Sequence, residues 1–273
     1  MQSSTATTPF ARRLQAAIAR AGSPLCVGLD PDPARLPRHL GDGVQACRRF
    51  VREIIEATRD QVAAFKPNAA FFESYGSEGV AILEELRDWI GPDVLLIVDA
   101  KRGDVLHTNE AYAQAIFGRM RADAVTVQPY LGGEPLTPFC RNPEHGMFVL
   151  CVTSNPGAAE VQNLETNGKP LFREVARLAA TWSEHNNVGL VVGTTKPEAL
   201  DTVLDVAPHL PLLLPGGGAQ GGNTRSVLER LRRADAVGLF TFSRSVIYAS
   251  SGEDFAHAAR AECERLRNEL TAD

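Results

Sequence analysis

The sequence predicts an α/β chain folded as a single-domain, closed (β/α)8 TIM barrel. Three observations carry this. Short apolar runs alternate with amphipathic stretches along the whole chain, the pattern of parallel strands covered by helices. Eight such units fit into about 250 residues, the usual size of such a barrel. The first strand is followed by Gly28-Leu-Asp-Pro-Asp-Pro33 rather than a glycine-rich dinucleotide turn, which argues against an open doubly wound sheet.

The elements follow in order. Residues 1–9 are polar and threonine-rich, with no apolar signal core, and are expected to form a disordered tail before a barrel domain over 10–273. Phe10–Ala21 has helical spacing, with Phe10, Leu14, Ala17 and Ile18 on one side and Gly22 as its stop. Strand one runs to Asp30; a proline-rich loop and a helix over 44–59 follow. Strand two is Val62–Lys66, closed by Pro67, with a helix over 79–90. Strand three is Val94–Lys101, with a helix over 108–121. Strand four is Ala124–Gln128. Strand five is Met147–Thr153, with a helix over 170–186. Strand six is Val188–Val192, with a helix over 197–206. Strand seven is Leu210–Leu214, with a helix over 224–233. Strand eight is Ala236–Phe242, with a last helix over 253–270.

The bulk properties exclude several function classes. The 273 residues are 44% hydrophobic and 22% charged, enough for a large core without staples. A net charge of -5 offers nothing global to nucleic acid or a membrane surface. No apolar run approaches the roughly 18 residues a membrane span needs. The five cysteines are scattered without CxxC spacing, as in a reduced, cytoplasmic protein. The histidines form no HxH or HExxH pair, so no metal site is expected; His107 alone lies near the charged cluster described next.

The most informative stretch is Leu95-Leu-Ile-Val-Asp-Ala-Lys-Arg-Gly-Asp104. Four apolar residues read as a strand buried on both faces. The strand then ends in charge. Residues two apart point to the same side, so Asp99 and Lys101 emerge together, with Asp104 beyond the Gly103 turn as a second carboxylate around the ammonium. Other strands also end in distinctive polar residues: Asp30, Lys66 with Asn68, Thr153-Ser154-Asn155, Pro215-Gly-Gly-Gly-Ala-Gln220-Gly221-Gly, and Ser243-Arg244-Ser245. In a barrel all of these face one rim, where such folds place their chemistry. One aspartate after a strand is more often a cap; the joint placement is what points to a site. The glycine run and Ser243–Ser245, after strands seven and eight, fit a phosphate site. Backbone N–H groups can approach an anion there, Gln220 can donate an amide hydrogen bond, and Arg244 offers a planar fork.

These residues resemble the orotidine 5′-phosphate decarboxylase family. Asp99-Ala-Lys101-Arg-Gly-Asp104 matches its D-x-K-x-x-D signature. Phe65-Lys66-Pro67-Asn68, Thr153-Ser-Asn-Pro-Gly-Ala158, the run 215–222 and Ser243-Arg244-Ser245 match in the same order, in the wording of the longer bacterial subgroup. The residues after Asp104 are Val-Leu-His-Thr, where Ile-Pro-x-Thr is commoner, but Thr108 still falls four residues on. The resemblance implies a homodimeric, cofactor-free lyase that converts orotidine 5′-monophosphate (OMP) to UMP and CO2, the last step of de novo pyrimidine synthesis. It implies that Lys101 protonates C6, that Asp99 lies against the substrate carboxylate, and that Lys66 and Asp30 hold the ribose and the charged array. It places Asp104 and Thr108 in the partner's site, Ser154 and Gln220 over base and phosphate, and Arg244 on the phosphate. Asn68, Pro215, Gly221 and Ser243 complete the substrate-binding set.

The chemistry has use for this array. Loss of CO2 from C6 leaves an sp² carbanion that ring resonance cannot spread, so positive charge must sit at C6. A lysine ammonium supplies that charge and the proton, and flanking carboxylates oppose its deprotonation on desolvation. Two rivals remain at this level. A metal-dependent sugar-phosphate decarboxylase or aldolase could use Asp99, Asp104 and His107 as ligands, although a cation at Lys66 would repel Mg²⁺. A non-enzymatic phosphate sensor would need the phosphate loop but not the Asp-Lys-Asp array.

Overall fold

The computed structural model describes residues 8–216 and 222–272. Eight parallel strands, β1 (Leu25–Leu29), β2 (Ala64–Pro67), β3 (Leu95–Arg102), β4 (Ala124–Val127), β5 (Gly146–Val152), β6 (Val188–Val192), β7 (Leu212–Pro215) and β8 (Gly238–Phe242), follow one another around a closed barrel. β1 closes it by pairing with β8, Cys26 lying opposite Thr241. Helices connect the strands on the outside, among them Gly43–Thr58, Ser77–Ile90, Leu171–Thr181, Pro197–Val206 and Phe255–Thr271. A two-residue antiparallel hairpin, Glu165–Thr166 against Lys169–Pro170, decorates the loop after β5.

The alternation of side chains along the strands sorts the core into two clusters. Leu96 and Val98, Val125 and Val127, and Val27 and Leu29 face outward and are buried under the helices. Cys26, Ala64, Leu95, Ile97, Ala124, Phe148, Leu213 and Leu239 face inward and fill the barrel. The first helix, α1 (Phe10–Ala21), plugs the N-terminal mouth. Its Phe10 ring meets Phe148 edge-on at 6.0 Å, and a Cβ on Gly146 would lie 2.6 Å from that ring, so only glycine admits the plug. Gly22 ends α1 in the left-handed conformation at φ 63°.

Continuing the inward positions toward the C-terminal mouth leaves apolar side chains behind. Two or four residues beyond the inward core positions stand Asp30, Lys66, Asp99, Thr126 and Ser243. The period of two thus delivers polar groups from neighbouring strands to one interior layer.

Several boundaries depart from the sequence expectation. The helix expected over 108–121 is Leu106–Ala113 followed by a π-helical turn, Gln114–Arg119. The helix expected over 170–186 stops at Thr181. There the chain turns and Asn187 buries its amide against the carbonyls of Cys140, Asn142 and His145. Residues 1–7, most of the expected tail, lie outside the described residues, as do Gln220 and Gly221. All five cysteines are free and buried. Among the described residues no helix is long and apolar enough to cross a membrane.

Candidate active site

The site is organised by Asp99. Its Oδ2 accepts a hydrogen bond from Lys66 Nζ at 2.7 Å and its Oδ1 one from Lys101 Nζ at 2.7 Å. One carboxylate therefore bridges two ammonium groups. The Lys66 side chain is 8% exposed and that of Asp99 12%, whereas that of Lys101 is 49% exposed and keeps donors open to the mouth. Burial alone would discharge Lys66, but the charges of Asp99 and Asp30 and the Asp99 hydrogen bond outweigh it and hold its pKa above the ordinary lysine value. Burial would likewise protonate Asp99, but the charges of Lys66 and Lys101, with their hydrogen bonds, hold it well below the usual carboxylate range. One carboxylate thus faces two lysines, Lys66 buried and Lys101 half exposed.

The backbone beneath it is irregular. Val98 pairs with Val125 and Arg102 with Val127, so residues 99–101 of β3 face Thr126 alone on β4. Bulges of this kind re-aim side chains beside active sites. Lys101 takes a left-handed φ of 48°, rare for a residue with a Cβ. The expectation that simple alternation brings Asp99 and Lys101 together is met in outcome only; the bulge, not the regular pleat, makes the contact. Gly103 follows in close approach to β4: a Cβ there would lie 2.6 Å from the Gln128 carbonyl oxygen, and Gln128 donates its side-chain amide to the Gly103 carbonyl.

Asp104 does not bracket Lys101 within its own chain. Its Oδ1 accepts from Val105 N at 2.7 Å, and its main chain is clamped by the buried Asn109, which accepts from Asp104 N and donates to the Asp104 carbonyl. The turn thereby carries the carboxylate away from the ammonium. Thr108 lies half-buried on the same turn. Beside them Val105 and Leu106, and on the loop after β4 Tyr130 and Leu131, are exposed apolar residues, Tyr130 at 89%.

Asp30 is reached from β8. Ser243 donates its hydroxyl to Asp30 Oδ2 at 2.5 Å, and Gly28 permits the approach, since a Cβ there would lie 2.7 Å from Ser243 Cβ. Asp30 Oδ1 is buried without a hydrogen-bond partner. Beneath, the Tyr248 hydroxyl donates to the Asp30 carbonyl and accepts from Asp32 N. Asn68 caps the short helix after β2 by accepting from Ala70 N, and it bridges to Asp99 through the backbone. Arg244 opens a four-residue helix at the mouth, and its guanidinium is exposed with no ion pair or hydrogen bond among the described residues. Ser245 Oγ beside it is buried with no hydrogen-bond partner among the described residues. Ser154 is exposed on the loop after β5, where Gln162 holds the neighbouring Thr153 by two hydrogen bonds. The Pro215 carbonyl accepts from Thr194 N at 3.2 Å, and Gly216 leaves the strand at φ 106°.

The rim therefore gathers Asp30, Lys66, Asp99, Lys101, Ser243 and Arg244, and separates Asp104 and Thr108 from them. It adds residues that the sequence analysis passed over: Thr126, Asn109, Tyr248, Gln162 and Thr194. Thr126 could have been found from strand parity, being the one polar residue inside Ala124–Val127. The others act through loops and left no local signal. No group of three or more metal-ligating side chains comes together among the described residues, so Asp99, Asp104 and His107 do not form the ligand set of the metal-dependent rival.

Comparison with known proteins agrees with this geometry. The family model described as orotidine 5′-phosphate decarboxylase / HUMPS family matches residues 23–259. An orotidine 5′-phosphate decarboxylase of Thermomicrobium roseum is 46% identical over 265 residues, spanning 96% of this chain and 94% of the relative. That of Ralstonia nicotianae is 45% identical, spanning 96% and 97%. Among solved structures, Leishmania donovani OMP decarboxylase superposes with a TM-score of 0.84 at 37% identity, covering 97% of this chain and all of that one. A putative orotidine 5′-phosphate decarboxylase from Streptomyces avermitilis gives 0.88 at 35%, covering 100% and 98%. The chain belongs to the orotidine 5′-phosphate decarboxylase / HUMPS family.

Proposed function

We propose that this member of the orotidine 5′-phosphate decarboxylase family is a cytoplasmic carbon–carbon lyase that converts OMP to UMP and CO2, the final step of de novo pyrimidine synthesis, with Lys101 as the proton donor to C6. The observation that carries this reading is the Lys66–Asp99–Lys101 array, one largely enclosed carboxylate between two ammonium groups at the barrel mouth. In the proposed mechanism the substrate carboxylate lies against Asp99 and leaves as CO2. The electron pair stays on C6, beside the Lys101 ammonium, which transfers one proton there and becomes a neutral amine. Asp99 orients the Lys101 ammonium before the transfer through their hydrogen bond. Lys66, fixed by Asp99, holds the array in place and lends its charge to the same region. The barrier to be removed lies within the ~8–23 kcal/mol typical of enzymes, more than one contact supplies. Binding energy from the distant phosphate is therefore part of the catalysis.

The unmet acceptor at Asp30 Oδ1 suits a ribose hydroxyl, with Asn68 and Lys66 nearby. The free guanidinium of Arg244, with the loop of Pro215, Gln220 and Gly221 and with Ser243 at the turn, suits the phosphate. Ser154 would close from the β5 loop. The domain is taken as 10–273 after a tail over 1–9. A second copy of the chain is proposed to cover the exposed apolar residues Val105, Leu106, Tyr130 and Leu131, which would bring Asp104 and Thr108 into the neighbour's site. No metal or organic cofactor enters the scheme.

The direct test follows the loss of OMP absorbance with purified protein in EDTA. Turnover that persists supports the reading, and turnover restored only by a divalent cation overturns it. Mixing Lys101→Ala with Asp104→Ala protein tests the shared site. Each variant alone should be nearly inactive and the mixture should regain activity, because a hybrid dimer rebuilds one intact site. An inactive mixture of exchanging subunits refutes the shared arrangement.

A further inference from the structure

Resting on the decarboxylase reading, we propose that Thr126 is the positioning residue of this site: its hydroxyl pins both the Asp99 carboxylate and the Lys101 main chain, and so sets the aim of the proton donor. Thr126 is 1% exposed and stands alone on β4 opposite the three bulged residues 99–101. Its Oγ1 donates to Asp99 Oδ1 at 2.7 Å and accepts from Lys101 N at 3.1 Å. The polarity of both bonds is fixed. An ionised carboxylate can only accept and an amide N–H can only donate, so the single hydroxyl proton has one place to go.

The pin acts where the strand would otherwise relax. Between the pairs Val98–Val125 and Arg102–Val127 the ladder is interrupted, and Lys101 sits at φ 48°, a conformation disfavoured for any residue with a side chain. Glycine would remove that strain but also the ammonium. The Thr126 hydroxyl supplies the hydrogen bond to Lys101 N within this gap. It also shares Asp99 Oδ1 with Lys101 Nζ, so one atom ties the main chain and the side chain of the same lysine to one carboxylate rotamer. The β-branched side chain has little χ1 freedom of its own. None of these contacts uses Asp30 or Arg244, the residues proposed to take the ribose and the phosphate.

The test compares Thr126→Val, which keeps the shape and removes the hydroxyl, with Thr126→Ser, which keeps the hydroxyl. For Val, kcat should fall about 10- to 100-fold, the scale of a small misplacement of reacting groups. KM for OMP and the Kd of UMP should stay within about threefold. Ser should return kcat to within about threefold of wild type. On an Asp99→Asn background the Val substitution should cost little further, because the residue acts through Asp99. A kcat for Val within threefold of wild type overturns the inference. So does a Ser variant as impaired as Val, or a full Val effect on the Asp99→Asn background. If Val melts below the assay temperature, Thr126→Ala against Thr126→Ser makes the same comparison. A wild-type chain without OMP turnover overturns the functional reading itself, and this inference with it.

Discussion

Two aspartates, one at each end of the barrel, are each held by two cations. At the C-terminal mouth Asp99 lies between Lys66 and Lys101. At the N-terminal mouth Asp123, its side chain 6% exposed, pairs with Arg13 and Arg87 and accepts from Leu96 N at 2.7 Å. The difference lies in what else the cations touch. Arg87 also donates to the carbonyls of Gly91, Val94 and Arg121, and Arg13 to that of Glu144. The N-terminal cluster is thus tied into the loops around it, closing the end that α1 plugs. The ammonium groups of Lys66 and Lys101 hydrogen-bond to Asp99 alone among the described residues, and Lys101 remains half exposed on a strained backbone. A charge cluster whose cations are also tied to several backbone carbonyls stabilises the fold. One that leaves donors open in a low-dielectric mouth is prepared for a ligand.

The contrast can be broken by substitution at either end. The largest effect is expected from Lys101→Ala, with kcat down about 10⁴-fold or more while UMP affinity changes far less. Near-normal turnover would remove the functional half of the comparison. At the other end, Asp123→Ala should cost about 3 kcal/mol in urea unfolding, because the part-buried Arg87 and Arg13 lose the buried carboxylate they share. Activity per folded molecule should be preserved. A collapse of kcat in a stable Asp123→Ala protein would merge the two ends into one system. Arg244→Ala should weaken UMP binding by about 2–3 kcal/mol in calorimetry, and an unchanged Kd would take Arg244 out of the proposed phosphate site.

The smallest effect is a pH dependence. Burial pushes Asp99 up, but the charges and hydrogen bonds of Lys66 and Lys101 outweigh it and hold the carboxylate well below its usual range. Its contribution to stability is therefore complete above the unfolded carboxylate value near ~4 and is lost as pH falls below it. Lys66 is shifted the other way, so its contribution is present below ~10 and is lost as pH rises through its folded value. Asp99→Asn should flatten the acid limb of a stability–pH curve, and Lys66→Met the alkaline one. Unaltered limbs would mean that the mouth cluster carries no such linkage.

Sequence alone determined the barrel and most of the cluster. Strand and helix periods are local, and eight repeats of them leave few ways to bury every apolar face, so the fold was legible in the order of the runs. Asp30, Lys66, Asp99, Lys101 and Arg244 were legible for the same reason: each ends a strand, and parallel strands end on one rim. Tertiary structure alone decided how these groups are used. The contact of Lys101 with Asp99 depends on a bulge against β4 and a left-handed backbone. The turning away of Asp104 depends on Asn109, buried against the Pro135 carbonyl. The occupation of Ser243 by Asp30 depends on how closely β1 and β8 approach. Each joins residues that different elements bring together. Spacing along a chain sets which face a residue takes, but which partner saturates its hydrogen bonds is settled only when the barrel closes.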